Sequence, residues 1–115
     1  MGRYYILEAG RVVEEPHYPT WAKWYEEHFN DVELIVRTEL IHGVVLTRFL
    51  AMNMTLANQS SEPLVFETRV KGGWLDDTWE RFATIDEARK GHDHWVSRVR
   101  EAESEEDYPP PGAHW

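Results

Sequence analysis

The stretch that most constrains the fold is residues 64–100, where two strands and a capped helix follow one another almost without a break. Residues 64–71 (LVFETRVK) are rich in β-branched and aromatic side chains, the composition of a half-buried strand. Gly72-Gly73 opens a connection through Thr78, and residues 79–83 (WERFA) form the returning strand. Thr84 and Glu87 then stand at the spacing of a capping box, N-cap and N3. The helix that follows carries Ile85, Ala88, His92, Trp95, Val96 and Val99 on one face and is expected to run to about Glu103.

Upstream, residues 3–8 (RYYILE) predict a short strand, with Val12-Val13 returning beside it. Pro16 and Pro19 bracket a loop leading to Thr20, a candidate N-cap, and Trp21, Trp24, Tyr25 and His28 recur at i, i+3, i+4 and i+7. Asn30-Asp31 is the expected helix end. Residues 33–40 and 44–52 read as two strands around Ile41-His42-Gly43, and residues 57–63 as a polar loop. The order β(β)–α–β–β–β–β–α predicts an α+β fold. It is a small antiparallel meander of about four to five strands, with both helices, one after the first strands and one C-terminal, on one face. Residues 1–103 are expected to form a single domain, and residues 104–115, acidic and then Pro-rich, a disordered tail.

Charge narrows the function classes less than its total suggests. The 115-residue chain has 12 Lys+Arg, 21 Asp+Glu and a formal charge of −9. Five of those charges belong to Glu101, Glu103, Glu105, Glu106 and Asp107, beyond the last basic residue, Arg100. A protein that coats a nucleic-acid backbone needs a positive surface, so no nucleic-acid partner is expected. Binding of a small anion by the folded body stays open. There is no cysteine, which removes disulfides, thiolate metal sites and thiol nucleophiles. No apolar run approaches the roughly 18 residues of a membrane span, and residues 1–4 do not read as a signal peptide, so no membrane partner is expected.

Candidate chemistry is sparse. His92 and His94 lie about 200° apart on a helix and cannot share an ion, so no metal or other cofactor is expected. Asp76, Asp77 and Glu80 sit in or beside the glycine turn, where carboxylates bond local backbone amides; no catalytic residue is assigned. The strands hold Arg37, Glu39, Arg48, Glu67 and Arg69. A two-residue turn joining Ile41 to Val44 would set Arg37 opposite Arg48, and opposed like charges need a carboxylate or an anion between them. Arg37, Arg48, Glu67 and Arg69 are therefore candidate ligand-binding residues, with an ordinary salt-bridge network as the alternative. Trp24 and Trp95 fall on apolar helical stripes and read as core. Trp74 and Leu75 in the turn, and Trp115 at the end, are candidate contacts with a partner or a second copy of the chain.

The stretch 64–99 also resembles a family of small proteins encoded by tailed bacteriophages. Their pattern is L-[LV]-F-E-T-M-[VI]-F-G-G-x-L-D, then R-[YF]-x-T-x-[ED]-E-A-x-x-G-H, then a helix ending V-x-R-V. The matching residues are Phe66, Glu67, Thr68, Val70, Gly72, Gly73, Leu75, Asp76, Arg81, Phe82, Thr84, Glu87, Ala88, Gly91 and His92. Upstream, YYILEAG, WAKWYE and VRTEL…VVLTRFLAMN look like the family's opening strand, helix and hairpin. Three positions depart from the pattern. Lys71 replaces a usual Phe, Arg69 a Met, and Arg48 a small or apolar residue, each adding positive charge to the sheet. The resemblance implies expression in the cytoplasm of an infected bacterium and no particular mechanism. On this reading the expected function is a non-enzymatic accessory protein that binds a host or phage protein or a small anionic molecule, and that could counter host defence. The alternatives are a minor virion or assembly component, and a small enzyme using the Arg/Glu face.

Overall fold

The computed structural model describes residues 2–28, 34–53 and 62–104. The expected helix end at Asn30-Asp31, most of the polar loop, and the tail beyond Ser104 with Trp115 lie outside those residues. Eight elements follow the predicted order: β1 (Tyr5–Glu8), β2 (Arg11–Glu14), α1 (Tyr18–His28), β3 (Leu34–Glu39), β4 (Val44–Phe49), β5 (Phe66–Lys71), β6 (Trp79–Phe82) and α2 (Ile85–Ser104). β1 and β2 form a separate antiparallel hairpin, and β3-β4-β5-β6 form a four-stranded antiparallel meander.

Alternation on the strands separates the two faces of the meander. Val45, Thr47 and Phe49 of β4 pair with Val70, Thr68 and Phe66 of β5, and all six are buried. This inner face packs on α2. Val45 and Val70 meet Val96 and Val99, while Phe49 and Phe66 share a cluster with Ala88. Gly91 lets α2 lie close against β6, since a Cβ there would stand 2.1 Å from the Phe82 ring. The helix starts as its sequence specifies. The Thr84 hydroxyl accepts from the Glu87 amide at 3.2 Å and donates to the Glu87 carboxylate at 2.9 Å.

α1 reaches the same face from the side. The Trp21 indole N–H donates to the carbonyls of Tyr5 and Ala51, each at 3.0 Å, tying the helix to β1 and to the segment after β4. Trp24 meets Phe49 edge-on. The helix begins two residues before the expected cap at Thr20. Pro19 falls in the first turn, where no amide is needed, and the His17 carbonyl accepts from the Trp21 amide. The Thr20 hydroxyl instead bonds the His17 ring at 2.7 Å.

The β3–β4 hairpin departs from expectation in its register. Glu39 pairs with Val44, and residues 40–43 form the loop, closed by the Leu40 amide on the Gly43 carbonyl. Arg37 therefore faces Leu46, not Arg48. Beside this loop Gly43 and Gly72 press their backbones together. A Cβ on Gly72, at φ 90°, would stand 2.7 Å from the His42 carbonyl.

Candidate functional site

The outer face of the meander carries the charge. Among the described residues no helix packs on it, and alternation sends Arg37, Glu39, Leu46, Arg48, Glu67, Arg69, Lys71, Trp79 and Arg81 there. Two rows run across the strands: Arg48–Glu67–Arg81, and Arg37–Leu46–Arg69–Trp79. Glu67 lies on an interior strand and is only 6% exposed, although among the described residues no helix packs over it. Its neighbours do the covering. Arg69 Nε donates to one carboxylate oxygen at 3.0 Å and Arg81 Nε to the other at 3.2 Å. The hydrogen bond it donates to Glu67 raises the Arg69 pKa above its ordinary value.

A second carboxylate serves the same face. Asp77, in the β5–β6 turn, pairs with the Lys71 ammonium and lies 3.7 Å from Arg69. The hydrogen bond from Lys71, more than any other influence, holds its carboxyl below the usual range. Arg37 pairs with Glu39 at 2.7 Å on exposed ground. Arg48 is different. It stands half-buried directly across from Glu67, and among the described residues it forms no ion pair. The patch thus sets four cations (Arg48, Arg69, Lys71, Arg81) around two carboxylates (Glu67, Asp77). Its excess positive charge centres on Arg48.

Of the ligand-binding candidates, the fold brings Arg48, Glu67 and Arg69 together and leaves Arg37 in its own pair one strand further out. Two contributors escaped sequence reasoning. Arg81 supplies the second guanidinium on Glu67 and lies 4.2 Å over the Trp79 ring, which is itself 42% exposed. Alternation in WERF places Trp79 and Arg81 on one face, but only the register shows that this face meets Glu67.

The paired candidates of the β5–β6 turn separate. Trp74 is exposed, whereas Leu75 packs toward Val45, Val70, Val96 and Val99. Asp76 takes the turn role expected of it, accepting from the Gly72 amide at 2.6 Å, and Glu80 accepts from the Trp95 indole. On the inner face, buried His92 bonds through both ring nitrogens, to Thr38 and Thr47 hydroxyls at 2.8 Å each, and Thr47 bonds Thr68 at 2.6 Å. Burial holds the His92 pKa below its ordinary value, so the ring is neutral at pH 7. Among the described residues no three His, Asp or Glu side chains could hold a metal ion, and no helix is long and apolar enough to cross a membrane.

Fold and site together define an α+β protein whose meander keeps one face for its core and leaves the other cationic. Compared with family models, curated proteins and solved structures, the chain gives no match.

Proposed function

We propose that this protein is a phage-encoded accessory protein that works by binding, and that it takes a small anionic molecule on the outer face of the meander. The observation that carries this reading is Arg48, a half-buried guanidinium without an ion pair among the described residues, beside a carboxylate already shared by Arg69 and Arg81. A half-buried cation with no ion pair among the described residues is costly, and a phosphate or carboxylate group would offset that cost through charge-assisted hydrogen bonds. Both Glu67 oxygens are engaged by guanidinium groups, an arrangement suited to orienting cations rather than to proton transfer. The phage setting rests on the sequence resemblance across residues 64–99.

Calorimetric titration with pyrophosphate tests the site. The wild-type chain should show saturable binding that Arg48→Ala weakens by about tenfold or more, the loss expected for a charge-assisted hydrogen bond. No saturable binding, or equal binding by the variant, would overturn the assignment. The accessory role expects the chain to be missing from purified particles of a phage that encodes it. Recovery in virions at fixed copy number would make it a particle component instead.

A further inference from the structure

The outer face holds a second feature that an inorganic anion would not use. Trp79 lies on the edge strand β6, directly opposite Arg69 and 42% exposed. Its ring is not loose. The Arg81 guanidinium sits 4.2 Å over it, and Glu67 anchors that guanidinium at 3.2 Å. One side of the indole is thus fixed by a cation–π contact while much of its surface stays open. A pinned, exposed aromatic beside cations is the arrangement that accepts a planar base, because it is pre-organised and every base has a π-face.

Resting on the anion-binding reading above, we infer that the ligand is a free nucleotide carrying a phosphate chain, its base on Trp79 and its phosphates on Arg69 and Arg48. Spacing favours a chain of phosphates over a single one. Trp79 and Arg69 are direct cross-strand neighbours, but Arg48 lies a further strand away and two residues along. With strands about 4.8 Å apart and a rise of about 3.4 Å per residue, Trp79 and Arg48 are about 12 Å apart at the backbone. A ligand spanning them places its base and its terminal phosphate at opposite ends. Arg69 stands where that path crosses β5, and Leu46, beside Arg48 on β4, gives the far end an apolar neighbour. The chain's net charge of −9 disfavours a long polyanion and leaves the free nucleotide as the matching source of this chemistry.

Calorimetric titration of the full chain with ADP, pyrophosphate and a single-stranded ten-nucleotide DNA tests this. ADP should bind about tenfold or more tightly than pyrophosphate, the gain expected from one stacked base. Trp79→Ala should remove that gain while still binding pyrophosphate, which also reports that the variant is folded, and Trp79→Phe should retain most of it. Equal affinity for ADP and pyrophosphate would overturn the nucleotide inference and leave the anion site standing. Binding of neither would overturn both. An ADP preference unchanged in Trp79→Ala would remove Trp79 from the site, and tighter binding of the oligonucleotide than of ADP would overturn the free-nucleotide source.

Discussion

The two faces of the meander solve the same problem, polar groups on a sheet, in opposite ways. The inner face buries Thr47, Thr68 and His92, with half-buried Thr38 beside them, as neutral groups that satisfy one another. Among the described residues the strands of the outer face carry seven charged side chains, of which Arg48 lacks an ion pair. A neutral, closed network under a helix serves folding, because it specifies how α2 sits on the sheet. A cationic patch on a face that no described helix covers contributes little to folding, since partly exposed ion pairs are worth little. The contrast assigns stability to the inner face and, under the proposed function, recognition to the outer one.

Breaking the inner network should produce the largest effect. Thr47 links His92 to Thr68, and Thr47→Val keeps its shape while removing its hydroxyl. Urea unfolding should show a loss of about 1–3 kcal/mol, the cost of leaving buried partners unsatisfied. Pyrophosphate binding should be unaffected.

A pH titration sharpens the same point. Burial lowers the folded-state pKa of His92 below the ordinary 6.5, so the unfolded chain takes up the proton first. The stability linked to His92 is complete above about pH 6.5 and is lost as pH falls through 6.5 toward the lower folded-state value. Denaturation midpoints measured across that window should fall in the wild type, and fall less in His92→Gln.

The smallest stability effect belongs to the outer face. Arg48→Ala should change unfolding free energy by no more than about 0.5 kcal/mol, because among the described residues it has no ion pair to lose. A loss as large as that of Thr47→Val would mean that Arg48 is a structural residue and that the two faces are not divided as described.

How much of this was legible in the sequence follows from periodicity. The capping box at Thr84 and Glu87, the Trp21–Tyr25 stripe of α1 and the α2 face through Ala88, His92, Val96 and Val99 depend on local spacing, and all appear in the structure. Register does not depend on local spacing. The β3–β4 hairpin pairs Glu39 with Val44, two residues off the expected register, which sets Arg37 opposite Leu46 and away from Arg48. The same uncertainty hid Arg81, whose place opposite Glu67 is set by a turn in which the Asp77 amide bonds the Val70 carbonyl and Val70 bonds back to Thr78. The three-threonine network was equally hidden, since three separate strands and a helix must be aligned before Thr38, Thr47 and Thr68 meet His92.

The central claim is that the cations gathered around Arg48 and Glu67, and not the Arg37–Glu39 pair beside them, hold an anion. Arginine side-chain N–H resonances, followed by NMR during a pyrophosphate titration, test it most directly. The signals of Arg48 and Arg69 should move and saturate together, while that of Arg37, held by Glu39, stays in place. Equal, unsaturating drift of all three would show only diffuse screening of surface charge and would contradict the account.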